Sequence, residues 1–396
     1  MKMSVLQADI QDSTVLLRVD YNVPFLGNTG EISDDSRIRA SIPTIDYLLS
    51  KNCKIIICSH VGRPKGERVE SLRMQPISTR LSELIELDVK QVDDCVGKQI
   101  EIITDESPPA SIIMLENLRF HTEEEANDQN FAEALSRLAS IYVNDAFGTS
   151  HRAHASIEGI THFLPSVSGL LLDKEITVLQ NVLEQPSHPY VAILGGAKVS
   201  DKISVARHLA ERVDLLVIGG GMINPFLRVQ GYSLGEVQIP NEELSFASEI
   251  LNQFEKGKFD LKLPVDVVVS DSLSSEAPYK TVPLDDIPVG WHIMDIGAKS
   301  SEEFRASIIK AKTVIWNGPM GIFEMEQFSK GTLGIAKTLS QMIDAMTVIG
   351  GGSTAEAVKR LGLDQLMTHV STGGGACLKF LEGNDLPGVV ALMDAS

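Results

Sequence analysis

A chain of 396 residues is too long for one ordinary hydrophobic core, so two domains are expected. With 43% hydrophobic and 22% charged residues it has the balance of a water-soluble globular protein, and no apolar run approaches bilayer-spanning length. A net charge of −18 argues against a nucleic-acid partner, which calls for a basic footprint. An acidic protein can still hold an anionic metabolite where its arginines are gathered in one cleft. The four cysteines, Cys53, Cys58, Cys95 and Cys377, are scattered without a CxxC pair, which indicates neither a zinc site nor a disulfide framework. No N-terminal run has the pattern of a signal peptide, so a cytoplasmic protein is expected.

In chain order, residues 15–19 read as a first buried strand. It feeds RVDYNVP, where Asp20 and Asn22 crowd a strand end. In open α/β sheets ligands sit beyond such carboxyl ends, although both residues also suit a turn. DDSRIRAS opens a helix running to about residue 51, with Arg37 and Arg39 in its first turn. The helix field disfavours arginine there, which hints that one of them faces a ligand. A second strand at 54–58 leads to SHVGRPKG, with His60 and Arg63 in a Gly/Pro loop. A helix opens at Pro76 and runs to about residue 87. The strand at 111–115 leads to ENLRFHTEEEAND and Arg119, with residues 123–125 read as a solvated helix start. The strand at 141–143 leads to NDAFGTSHRAHAS and Arg152. Four strands thus end near a basic residue: Arg18 or Arg37, Arg63, Arg119 and Arg152. One basic cleft for a small, multiply charged anion explains that recurrence best.

Residues 170–184 form one helix pattern, stopped by Pro186 and read as the interdomain connection and hinge. The second half repeats the strand-loop-helix theme. Strands at 190–194 and 214–218 each run into glycines, with a helix between them capped by Ser200 or Asp201. The glycine loops 195–196 and 219–221 are ordinary tight turns or an anion cradle whose N–H groups turn inward, with Lys198 and Lys202 in reach. The same device recurs at 350–352 and 373–375. A helix at 241–254 and a strand at 263–271 precede an irregular stretch to 295. A helix from 302, then strands at 313–316, 347–349 and 369–370, complete the pattern. The expected fold is α/β, two doubly wound parallel-sheet (Rossmann-like) domains joined by a hinge helix. Neither a Walker A sequence nor GxGxxG is present.

RVDYNVP, SHVGRPKG, ENLRFHTEEEAND, VNDAFGTSHRAHAS, AILGGAKVSDK, VIGGGM, LPVDVVVSD, WNGPMGIFE and STGGGACLKFLEG together resemble the signature blocks of the phosphoglycerate kinase family, almost end to end and in order. The resemblance implies reversible phosphoryl transfer from 1,3-bisphosphoglycerate to ADP, giving 3-phosphoglycerate and ATP, with Mg2+, in a glycolytic monomer. It implies a glycerate-binding domain over 1–170, a hinge at 171–186, a nucleotide-binding domain over 187–382 and a tail, 383–396, folded back on the first domain. The glycerate would be held at Asp20, Tyr21, Asn22, Arg37, His60, Val61, Gly62, Arg63, Arg119 and Arg152. The nucleotide would be held at Lys198, Lys202, Gly219, Gly220, Asn317, Glu324, Gly350, Gly351, Gly352, Ser353 and Thr354. The acceptor carboxylate is ionised at neutral pH and needs no general base. Catalysis is therefore expected from Arg37, Lys202 and the helix start at Gly373, Gly374 and Gly375.

Two positions depart from the family pattern. Its GGGD reads GGGS here, and the missing aspartate is a Mg2+ ligand, so the protein's metal ligand stays unassigned. Either metal binding is weakened or rearranged, or the nucleotide phosphates supply most ligands and Ser353 is tolerated. Tyr21 replaces a usual Phe. The rival readings are a non-catalytic nucleotide-binding homologue, a two-domain solute-binding protein, and an NAD-dependent dehydrogenase without its fingerprint.

Overall fold

The computed structural model describes residues 2–27, 30–234 and 237–395. The chain divides into two compact units, Met1–Thr177 with Asp385–Ser396, and Val178–Asn384. The boundary falls inside the helix Leu170–Glu184, the hinge pattern of the sequence. Among the described residues no helix is long and apolar enough to cross a membrane.

The first unit is built on six parallel strands: β1 (Thr14–Arg18), β2 (Lys54–Cys58), β3 (Val89–Gln91), β4 (Ile112–Met114), β5 (Ile141–Asn144) and β6 (Ser166–Ser168). Their order is β3-β4-β2-β1-β5-β6. The runs TVLLR and KIIIC are buried after their first residue, as strands covered on both faces must be. The chain departs from β1 to opposite sides, toward β2 and toward β5, so the crevice between β1 and β5 is the topological switch point.

The second unit adds β7 (Tyr190–Leu194), β8 (Leu215–Ile218), β9 (Asp260–Lys262), β10 (Asp266–Ser270), β11 (Tyr279–Pro283), β12 (His292–Ile296), β13 (Thr313–Asn317), β14 (Met346–Gly350) and β15 (His369–Val370). Its parallel sheet runs β15-β14-β13-β7-β8-β9, with the switch point between β7 and β13. Each unit has its own apolar core, one centred on Leu17, Ile55 and Val143, the other on Ile193, Trp316 and Ile349.

Three expectations fail here. The predicted strand at 263–271 is Asp266–Ser270, and it lies in a separate antiparallel sheet, β11-β10-β12, not in the parallel one. The stretch read as irregular up to 295 supplies the other two strands; β11 buries only Val282, so its apolar signal is faint. The helix after β7 begins at Ile203, preceded by a 3-10 turn over Ser200–Lys202, and neither Ser200 nor Asp201 caps it.

Candidate active site

The loops beyond β1, β2, β4 and β5 meet at one edge of the first sheet. Arg18, the last residue of β1, is buried. Its Nε donates to Ser156 Oγ at 2.9 Å, its Nη2 lies 3.2 Å from His60 Nδ1, and its Nη1 donates to the Val19 carbonyl. None of these partners is a carboxylate. The balancing charge is Glu124, fully buried, which accepts from Ser156 Oγ at 2.7 Å and from the Ser156 N–H at 2.9 Å. Glu124 is therefore not the solvated helix-start acid expected from its sequence; it is an interior anion one hydroxyl away from Arg18.

His60 is buried, and burial with Arg18, Arg119 and Arg37 around it holds its imidazole well below the ordinary range. His154 is pushed down to about 4 by burial and by Arg18, Arg119 and Arg152. Both rings are neutral at physiological pH. Between them they feel Arg18, Arg37, Arg119 and Arg152, which brings four of the sequence-predicted guanidiniums to one corner of an acidic protein.

The individual arginines are held differently. Arg37 pairs with Asp20 at 2.8 Å, and Arg119 pairs with Glu125 at 3.1 Å while donating to the Gly62 carbonyl at 2.9 Å. Arg152 Nε donates to His151 Nε2 at 3.2 Å. Arg63 is exposed. Arg39, also in the first turn of helix Ser36–Ser50, is tied to Asp35 at 2.9 Å and points no charge at the cluster.

The loops are locked from beneath. Asn22 Oδ1 accepts from the Gly62 N–H at 2.9 Å. Gly62 has φ of +65°, and a Cβ there would sit 2.7 Å from the Leu72 side chain, so glycine spares the turn both strain and crowding. Asn117 Nδ2 donates to the carbonyls of Val61 at 2.8 Å and Leu72 at 2.9 Å. Tyr21 and Val61 were expected to touch the ligand; both are buried. The Tyr21 hydroxyl is spent on Ser41 Oγ at 2.6 Å, so these two side chains shape the loop and do not line its surface.

In the second unit the loops after β7, β8, β13 and β14 meet at the switch point. Here the inward-turned amides expected of the first two glycine loops are absent. Gly195 donates to Asn317 O at 3.0 Å, Gly196 to Pro319 O at 2.7 Å, Gly219 to Leu194 O at 2.8 Å, Gly220 to Met320 O at 3.0 Å and Gly221 to Gly196 O at 2.8 Å. These glycines let backbone pack on backbone. Lys202 folds over Gly196, whose Cβ would lie 3.2 Å from Lys202 Nζ, and burial lowers the lysine's pKa.

The anion cradle is at the other two loops. Helices Gly352–Arg360 and Gly374–Leu381 start beside each other: a Cβ on Gly374 would stand 2.9 Å from the Gly352 nitrogen. Two helix N-termini with their unspent N–H groups converge there. Gly373 and Gly351 are the N-cap residues, and Gly351 has φ of +87°. Asn317 lies against the same turn, its Oδ1 3.2 Å from a Cβ placed on Gly351, and its buried Nδ2 has no protein acceptor. Gly375, Ser353, Lys198 and Glu324 are exposed; Gly350 is buried. Thr354, also expected at the ligand, is buried, and its Oγ1 accepts from the Gly318 N–H at 2.7 Å.

The phosphoglycerate kinase family model matches residues 5–384. The chain belongs to the phosphoglycerate kinase family. It is 46% identical over 393 residues to the phosphoglycerate kinase of Moorella thermoacetica, covering 99% of both chains. It is 49% identical over 392 residues to that of Gloeothece citriformis, covering 98% of each. The solved structure of the Coxiella burnetii phosphoglycerate kinase superposes with a TM-score of 0.88 at 35% identity, covering 99% of this chain and 98% of the other. That of Pyrococcus horikoshii does so with 0.84 at 32%, covering 98% of each.

Magnesium, which the resemblance implies, is a hard cation that wants oxygen ligands. Among the described residues no group of three His, Cys, Asp or Glu ligands stands at the glycine loops, and Ser353 offers a neutral, exposed hydroxyl. These residues fit a cation that arrives with nucleotide phosphates, not one caged by the protein. Sequence reasoning missed Glu124, Asn117 and His154 as supports of the arginine corner. Only the presence of Asn117 shortly after a strand, in ENLRFH, signalled any of them.

Proposed function

We propose that this chain transfers a phosphoryl group between 1,3-bisphosphoglycerate and ADP by electrostatic stabilisation, without a general base. The products in the glycolytic direction are 3-phosphoglycerate and ATP, and the chain is a phosphotransferase with a carboxyl acceptor. A carboxylate has a pKa of roughly 4, so the acceptor is ionised and has no proton to lose. The obstacle is repulsion between anions and the charge spread over the transferring group. The observation that carries the proposal is the gathering of Arg18, Arg37, Arg119 and Arg152 around buried His60 and His154, whose rings burial and those charges keep neutral.

In this reading Asp20, Asn22, Arg37, His60, Arg63, Arg119 and Arg152 hold the glycerate. Guanidiniums supply bidentate contacts and neutral His60 a hydrogen bond. Lys198, Lys202, Asn317, Glu324 and the turn Gly350–Ser353 hold the nucleotide, with the buried Asn317 Nδ2 free to donate, while Gly219 and Gly220, their N–H groups spent on backbone carbonyls, serve close backbone packing. Arg37, Lys202 and the helix start at Gly373–Gly375 face the transferring phosphoryl. The Ser353 hydroxyl and the nucleotide phosphates would hold Mg2+, which when bound would supply charge neutralisation at the phosphate oxygens. The glycerate and nucleotide residues belong to different units, so the units close to bring the reactants in line and exclude water, hinging at Leu170–Glu184. The enzyme acts as a cytoplasmic monomer, with no nucleic-acid or membrane partner. A non-catalytic homologue is not supported by the family match.

The test is a coupled assay of purified protein with 3-phosphoglycerate and ATP, swept over Mg2+. Turnover that needs both substrates and saturates in Mg2+ is expected. A folded sample that binds nucleotide yet shows no turnover at any Mg2+ concentration would overturn the proposal.

A further inference from the structure

The cysteines carry no metal motif in sequence, yet the fold brings one of them into a mixed ligand set. Asp94, Cys95 and His121 each offer one ligand atom, all within 4.8 Å of one another. Asp94 and Cys95 follow β3, while His121 follows the 3-10 turn Leu118–Phe120 beyond β4. The two strands are parallel neighbours, so their carboxyl ends deliver the three residues to one place.

The set is graded from inside to outside. Cys95 is fully buried, His121 is partly buried and Asp94 is exposed. The imidazole Nε2 already sits 2.7 Å from Asp94 Oδ1. The Cys95 thiol has no partner better than a backbone carbonyl, Glu116 O at 2.9 Å. Burial pushes the thiol well above its ordinary range, and the acidic neighbours Asp94, Glu116 and Glu124 push the same way. Asp94 and Glu123 act on His121 with the same sign. Arg68 opposes them at Asp94, but its own ion pair is with Asp93, at 3.6 Å. Arg73 is likewise spent on Asp93 and Glu116.

We propose that Asp94, Cys95 and His121 form a site for one divalent transition ion of the Zn2+ class, distinct from the Mg2+ of the reaction. Sulfur, imidazole and carboxylate are the donor set such ions take, and a thiolate discriminates against hard Mg2+. Three protein ligands with an open, solvent-facing side leave the fourth position to water. On binding, the ion sends the thiol proton to solvent; the proton between His121 Nε2 and Asp94 leaves too when the ring is an imidazolium and moves to Nδ1 when it is neutral, and no electron moves.

The experiment is titration of tag-free, full-length protein with Co2+, read by thiolate-to-cobalt charge-transfer absorption in the near ultraviolet, followed by displacement with Zn2+. One equivalent with a sulfur band, displaced by Zn2+ and untouched by excess Mg2+, is the expected result. Cys95→Ser abolishes the band; the exposed Asp94→Asn and the His121→Gln variants weaken binding by about tenfold or more while keeping the native circular dichroism. Absence of a sulfur band in the wild type overturns the proposal. So does a band that survives Cys95→Ser, or binding unchanged in both Asp94→Asn and His121→Gln.

Discussion

Arg37 stands in the first turn of helix Ser36–Ser50, where the helix's own field opposes a cation, and its ion pair with Asp20 is partly open to solvent. Such a pair contributes about 0–1 kcal/mol to stability, so the residue has little structural reason to be there. Arg37→Ala is therefore expected to lower kcat by about 10²–10³-fold, the scale of losing one transition-state donor, while the melting temperature barely moves. Steady-state kinetics with a thermal melt on the same sample checks this; a large stability loss would mean the residue is structural. Ser353 leads to a second expectation at this scale. With no carboxylate cage at the glycine loops among the described residues, the nucleotide phosphates dominate metal binding. Ser353→Asp should then shift the Mg2+ concentration for half-maximal rate by less than about tenfold, the size of a supporting contact. A larger shift in a Mg2+ titration would assign that position a dominant share of the metal.

At the scale of elements, one buried carboxylate joins β12 to the helix Lys330–Ser340. Asp295 Oδ2 accepts from the Gly331 N–H at 2.8 Å and Oδ1 from the Ile296 N–H at 2.9 Å. Burial raises its pKa to about 7 despite these two bonds. A carboxyl whose folded pKa lies above its unfolded value near 4 stabilises most when protonated, so its contribution is full below pH 4 and is lost as pH rises toward 7. At about 1.4 kcal/mol per pKa unit the swing is on the order of 4 kcal/mol. Asp295→Asn should flatten the stability profile of the second unit between pH 4 and 7, seen by denaturant melts across that range; an unchanged slope would show that the carboxyl is not the titrating group. The sequence could not announce this residue, because Asp295 follows an apparently irregular stretch and its burial comes from chain far away. The same holds for β11, which buries only Val282, for β12, whose short buried run Met294–Ile296 contains the aspartate itself, and for Glu124, whose neighbours in sequence are exposed acids. What was legible lay where local and tertiary preferences agree: the buried runs KIIIC and YVAIL, and the helix Leu170–Glu184. The glycine loops were legible as special but not in role. Two pack backbone on backbone and two open helices, a difference set by which strand ends are neighbours.

For the whole molecule, two cores in two units mean that unfolding need not be one cooperative step. The last residues belong to the first unit, and their attachments are many. Lys2 Nζ donates to the carbonyls of Val390 and Leu392, each at 2.8 Å, and Met3 N–H to Met393 O at 2.8 Å. Gly388 donates to Ser150 O at 2.9 Å and accepts from Asn144 Nδ2 at 2.9 Å. Leu386, Val389 and Leu392 are buried. Full burial of one such side chain is worth about 1.5–3 kcal/mol, so removing 385–396 should cost the first unit at least about 3 kcal/mol. In a unit of this size that corresponds to about 6–12 °C in its midpoint. The second unit's transition should stay where it is, because none of these bonds reaches it. Calorimetry of the truncated chain beside the full one reads both transitions at once. Asn144 and Ser150 also frame the loop that carries Arg152, so the truncated chain should lose activity at temperatures where its first unit is still folded. If both transitions fell together, the units would share one cooperative fold; if neither moved, the tail's bonds would add nothing over water.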